Sequence, residues 1–229
     1  PVYGNAFAEV MNGADATLSI EPRNTRGSSE NIPLLEAGQL DIALVAGEPT
    51  YEAFMGIGRP AIRLKILTAM YSSPGMFVVR ADSPYKTIRD LAGKPVAFGA
   101  RGSGLPILSR YMLDGIGLKQ DEDFKSLYLD RAGDGPAMVQ DGRAAALWGA
   151  GIGWPGFNAL AKAGGRFVAP NAGEIQQILA RNSALKALTM PAGSYPGQDA
   201  PLNTVGSWSF VLAKPELPED LAYKLARAI

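Results

Sequence analysis

One segment constrains the fold more than any other. Thr25-Arg26-Gly27-Ser28-Ser29-Glu30-Asn31 is followed by Leu35-Glu36-Ala37-Gly38-Gln39-Leu40-Asp41-Ile42-Ala43-Leu44. A Ser28 or Ser29 hydroxyl can accept from an orphan N–H of a starting helix, and Gly38 is a favoured residue just past a helix end. Pro33 keeps that helix short. Residues 40–46 are then almost continuously apolar, the pattern of a parallel strand covered on both faces. Loop, helix and buried strand in this order call for an α/β fold. The same arrangement recurs at Ala100-Arg101-Gly102-Ser103-Gly104, between a predicted strand at 95–99 and a predicted helix at 105–113. Both loops present backbone N–H groups at a helix N-terminus, where an anion is favoured. As a pair they suggest a clamp for a small anionic ligand.

The rest of the chain continues the alternation. A helix is expected over residues 2–10 with Pro1 at its head, and a short strand over 16–20. After the strand at 40–46 a helix opens at Gly47-Glu48-Pro49. Two strands are expected at 62–71 and 76–80, parted by Ser72-Ser73-Pro74-Gly75, and then a helix from Asp82-Ser83-Pro84 to Gly93. Further strands are expected at 124–129, 144–148, 166–169 and 204–213, and helices at 136–141, through Leu160, at 174–182 and at 217–229. Residues 35–44 and 139–148 share a helix, a glycine and an apolar strand, which suggests two similar lobes. The first would hold residues 1–80 plus 206–229 and the second 81–205, joined by two hinge crossings.

Composition removes whole classes of function. The 22 basic and 22 acidic residues cancel, so nothing marks a nucleic-acid partner. No cysteine and no histidine are present, which excludes thiolate chemistry, the common zinc sets and the Ser-His-Asp and Cys-His arrangements. No run approaches the roughly 18 apolar residues of a membrane span. Ser103 stands in Gly-Ser-Gly without nucleophile-elbow spacing. The expectation is a binding protein without metal or cofactor, not an enzyme.

Several motifs, in order, resemble the TAXI class of solute receptors of TRAP transporters. They are Thr25, Gly27, Ser28 and Asn31; Gly38, Asp41, Ala43 and Leu44; Val78-Val79-Arg80 with Asp82-Ser83; Asp90-Leu91-Ala92-Gly93-Lys94; Gly99 with Gly102-Ser103-Gly104; Pro191-Ala192-Gly193-Ser194-Tyr195-Pro196-Gly197-Gln198; and Ala222-Tyr223 with Ala228. The resemblance implies a two-lobed periplasmic-binding-protein fold of the second type, each lobe a mostly parallel sheet flanked by helices. It implies a periplasmic, monomeric receptor that closes on a small carboxylate or amino acid and presents it to TRAP membrane subunits. It also implies a first strand upstream of Pro1 and helices beyond Ile229. Arg26 and Arg101 stand where the family often has small or variable residues.

Each candidate contact has a plainer reading beside it. Thr25, Arg26, Gly27, Ser28 and Asn31 form a cap and turn or touch the ligand, and so do Gly102, Ser103 and Gly104. Arg26 and Arg101 are solvated or grip a carboxylate bidentately. Trp148 beside Gly149 is core packing or a wall for an organic ligand. Tyr71 is a wall or hydroxyl contact, and Tyr195 is either that or an anchor for its own loop. Two other uses of such a fold stay open: a cytoplasmic effector-binding domain of a transcription regulator, and an enzyme of the pyrimidine-precursor type.

Overall fold

The computed structural model describes residues 2–229, so Pro1 lies outside the described residues. In chain order the elements are α1 (Val2–Ala14), α2 (Ser28–Glu36), β1 (Ile42–Ala46), α3 (Gly47–Met55), β2 (Lys65–Val79), β3 (Pro95–Ala100), α4 (Leu105–Gly115), β4 (Lys125–Leu129) and α5 (Gly135–Gln140). They continue as β5 (Ala146–Ala150), α6 (Pro155–Lys162), β6 (Arg166–Val168), α7 (Ala172–Arg181), β7 (Lys186–Met190), β8 (Leu202–Ala213) and α8 (Glu219–Ala228). The chain divides into two compact units, one holding the residues up to Tyr71 with Trp208–Ile229, the other Ser72–Ser207. The first division falls inside β2 rather than at residue 80.

In the first unit β1 runs antiparallel to the end of β8, from Ile42 opposite Ala213 to Ala46 opposite Ser209. The expected parallel, doubly covered strand is therefore corrected. Its partner returns from the far end of the sequence, and of its five residues only Val45 is fully buried. The strand expected at 16–20 does not form. The Asn12 side chain donates to the Ile20 carbonyl (2.9 Å) and accepts its N–H (2.7 Å), while the Asp15 carboxylate accepts from the N–H and hydroxyl of Thr17. Side chains thus satisfy the backbone groups that a ladder would have used. Ile32, Leu35, Val45, Ile62, Leu64 and Leu212 make one core of this unit, and Met11, Leu18, Ala213, Leu217 and Leu225 another.

In the second unit β2 pairs antiparallel with β5, Gly75 opposite Ala150 and Val79 opposite Ala146, and with β6 through Phe77 opposite Val168. β3 lies parallel to both β5 and β4. The two strands expected on either side of Ser72-Ser73-Pro74-Gly75 are one. Gly75 takes a ladder position and the Pro74 carbonyl accepts the Gly151 N–H (3.1 Å), an exchange that needs no donor from proline. The helix expected from Asp82 shrinks to one 3-10 turn, Ile88–Leu91, capped reciprocally by Thr87 and Asp90. β7 was not foreseen; it pairs antiparallel with β8, and its mostly exposed residues leave no apolar run to read.

Met76 through Val79 are fully buried, and their alternation feeds two cores. Phe77 and Val79 join Phe98, Met112 and Trp148 on one face, and Met76 and Val78 join Leu147, Phe157 and Tyr195 on the other. Each such side chain contributes about 1.5–3 kcal/mol by leaving water.

Candidate functional site

The first Gly-Ser loop is built as a brace for the start of α2. Gly27 caps the helix at φ 122°, a backbone region that side chains rarely enter, and the Glu30 carboxylate reaches back to the Arg26 N–H. The expected serine cap is corrected: no side chain caps α2, and Ser28 Oγ instead accepts the N–H of Ala46 at the end of β1 (3.0 Å). Thr25 Oγ1 donates to Asn31 Oδ1 (2.7 Å), and Asn31 Nδ2 donates to the Leu44 carbonyl (2.9 Å). Thr25, Ser28 and Asn31 therefore fasten the loop to the C-terminal end of β1. Among the described residues the first-turn amides of Ser28 and Ser29 have no acceptor, as the helix geometry dictates.

These residues converge on a concavity of about 330 Å³ within the first unit, lined by Thr25, Arg26, Gly27, Ser28, Asn31 and Tyr71. Phe7, Ile42, Leu44 and Val211 give it an apolar side. Arg26 is exposed, and among the described residues its guanidinium makes no ion pair. The Tyr71 ring stacks on Tyr3 at 4.9 Å. Burial pushes its hydroxyl pKa above the usual phenol value, against the opposing pull of a hydrogen bond with Ser209. Tyr71 is thus a neutral hydroxyl lining the same concavity as Arg23, Arg26 and Glu21. A larger hollow, about 720 Å³, lies between residues 18–24, the start of β1 and the apolar face of α8. Sequence reasoning missed Tyr3 and Arg23, which also line the smaller concavity. Arg23 had a readable signal, two residues before the loop.

The second loop is folded on itself. A Cβ at Gly99 (φ 96°) would come within 2.9 Å of the Leu105 side chain, so glycine is what lets α4 start this close to β3. Ser103 Oγ donates to the Ala100 carbonyl (2.7 Å) and accepts the Leu105 N–H (3.3 Å). The amides of Gly102 and Gly104 have no acceptor among the described residues. Arg101 is exposed, with its guanidinium 4.4 Å above the Tyr128 ring.

Three candidates prove to be supports. Trp148 is fully buried against Phe77, and its indole N–H donates to the Leu105 carbonyl (2.9 Å) from behind the loop. A ring held there has no face left for a ligand. Gly149 is buried, and a Cβ there would stand 2.3 Å from the Trp154 ring, so the position needs glycine. Tyr195 is buried too, and it anchors a loop other than its own: its hydroxyl donates to the Gly151 carbonyl (2.9 Å) and accepts the Trp154 N–H (3.0 Å).

Among the described residues no group of three or more acidic side chains could hold a metal ion, and no helix is long and apolar enough to cross a membrane. The model of the NMT1-like family matches residues 2–229. The chain belongs to the NMT1-like family.

Solved structures similar to this NMT1-like chain include the periplasmic aliphatic sulphonate binding protein SsuA from Escherichia coli, at 20% identity and a TM-score of 0.60, over 98% of this chain and 68% of that one. The alkanesulfonate-binding protein SsuA from Xanthomonas axonopodis pv. citri, bound to MOPS, matches at 18% identity and 0.60, over 99% and 69%. An ancestral arginine-binding protein bound to arginine matches at 16% and 0.59, over 99% and 79%. These likenesses show the fold: the two-lobed α/β fold of periplasmic binding proteins, as the sequence led us to expect, although the mostly parallel sheet expected of each lobe is corrected, since β1–β8, β7–β8, β2–β5 and β2–β6 pair antiparallel and β3 pairs parallel with β4 and β5.

Proposed function

We propose that this NMT1-like chain is an extracytoplasmic, monomeric solute-binding receptor that captures a small organic anion and hands it to a membrane transporter. The observation that carries this reading is the first loop, where the acceptor-free Ser28 amide at a helix N-terminus and Arg26, which has no ion pair among the described residues, line one concavity with Tyr71. A carboxylate or sulfonate gains charge-assisted hydrogen bonds there. The apolar side formed by Ile42, Leu44 and Val211 suits the carbon body of such a ligand. A chain with neither histidine nor cysteine offers no ready base or nucleophile, which favours binding over turnover.

Calorimetric titration with succinate, L-glutamate and ethanesulfonate tests the proposal. Saturable binding of at least one is expected, with a stabilisation of about 2.7 kcal/mol at 100 times its dissociation constant. No binding of any of the three sinks it. The order of TAXI-like motifs supports a TRAP-type permease as the recipient, whereas one similar structure is the substrate-binding protein of an amino acid ABC transporter. Reconstituted uptake driven with TRAP membrane subunits and then with an ABC permease decides between them.

A further inference from the structure

The helix α1 carries a glycine for which the fold itself gives no reason. Glycine weakens a helix relative to alanine. Yet at Gly4, inside α1, the φ is not positive and a Cβ would meet nothing within 4 Å. No close approach of the protein's own atoms therefore asks for the missing side chain. Gly4 lines the concavity of the first unit, and so do Tyr3 and Phe7. Phe7 stands four residues after Tyr3 and three after Gly4, spacings that put it beside both on the helix surface. The Tyr3 ring is stacked on Tyr71, with 4.9 Å between centroids and 28° between planes, and 48% of Tyr3 remains exposed. Tyr71 is tied in turn by a hydrogen bond with Ser209. The α1 side of the concavity is thus two aromatic rings beside a bare stretch of helix backbone. Ile42, Leu44 and Val211 line the same hollow. A flat aromatic ring suits such a surface. Its faces and edges pair with tyrosine and phenylalanine, and it is thin enough to lie where a side chain would hold a bulkier group off.

We propose that the concavity of the first unit selects anions with a planar aromatic body, and that Tyr3 and Gly4 are the specificity-determining residues. Tyr3 offers a ring to stack on, and Gly4 leaves the space. This inference rests on the receptor reading above and names the class of ligand within it.

The test is calorimetric titration of the full chain with benzoate and with cyclohexanecarboxylate, which has the same headgroup on a thicker, saturated ring. Benzoate is expected to bind about fivefold more tightly. Gly4→Ala is expected to melt at a higher temperature than the unaltered chain, since alanine suits the helix and meets no neighbour. It should nevertheless bind benzoate about tenfold more weakly, because the added methyl group overfills the slot. Tyr3→Leu should weaken benzoate about fivefold, and Tyr3→Phe, which keeps a ring, should bind it more tightly than Tyr3→Leu. Benzoate bound no more tightly than cyclohexanecarboxylate overturns the proposal and leaves the anion receptor standing. Undiminished benzoate affinity in either Gly4→Ala or Tyr3→Leu does the same, and so does binding of succinate, L-glutamate or ethanesulfonate without benzoate. Failure of all five anions to bind the unaltered chain overturns both readings.

Discussion

Gly206 on β8 lies so close to Ser73 on β2 that a Cβ at position 206 would stand 2.1 Å from the Ser73 carbonyl oxygen. The Leu188 side chain would be 2.9 Å away on β7, and the Thr204 hydroxyl fixes the approach by donating to the Gly75 carbonyl at 2.6 Å. Backbone cannot yield as a side-chain tip can. Gly206→Ala is therefore expected to lower stability by about 3 kcal/mol through overpacking, read from urea unfolding. A loss below about 0.5 kcal/mol, the range of neutral surface changes, would show that the strands can part at little cost.

Tyr195→Phe separates packing from polarity at one residue. The ring, set against Phe157 at 5.7 Å and Phe167 at 5.1 Å, stays in place, while the Gly151 carbonyl and the Trp154 N–H both lose the hydroxyl. A loss of roughly 1–3 kcal/mol is expected from leaving these groups unsatisfied, with faster hydrogen exchange at the Trp154 amide. If that amide keeps its protection, another group holds the loop.

The physics of these two sites explains what the sequence let us read. Helices with a strong apolar face and turn signals, such as α4 and α6, were legible because periodicity and glycine act locally. The mode of strand pairing was not, since an apolar run such as residues 42–46 looks alike whether its partner is parallel or antiparallel. In the same way Pro74 looked like a break because its ladder role as an acceptor depends on Gly151, far along the chain. All five residues named between Thr25 and Asn31 line one concavity. Trp148 and Tyr195 serve loops from the buried side, and a sequence does not say which side of a loop an aromatic takes.

The Thr87–Asp90 box gives a pH dependence of known sign. Hydrogen bonds from the Lys86 and Thr87 backbone N–H groups and from the Thr87 hydroxyl hold the Asp90 carboxyl below its ordinary value of 3.8. A carboxyl depressed in the folded state stabilises the fold above its ordinary value, and that stabilisation disappears as pH falls through the depressed value. Asp90→Asn is therefore expected to be less stable than the unaltered chain at pH 7. The gap should narrow as pH falls below the ordinary carboxyl value of 3.8 and the native carboxyl takes up its proton. A gap that stays constant as the pH is lowered would show that the charge of Asp90 does not matter to the cap.

Asn31 and Arg26 belong to one loop but should fail differently. Asn31 is buried and spans Thr25 and the Leu44 carbonyl, so Asn31→Ala leaves that carbonyl without its donor and frees the loop from β1. About 2 kcal/mol of stability should be lost, and affinity for an anionic ligand should fall with it because the Ser28 and Ser29 amides are no longer held in place. Arg26 is exposed, so Arg26→Ala should change stability by less than about 0.5 kcal/mol while weakening the same ligand about tenfold. Urea unfolding and calorimetric titration of both variants give the comparison. Equal affinity losses with equal stability losses would mean that Arg26 merely supports the loop, and the first unit would then hold its anion by backbone amides alone.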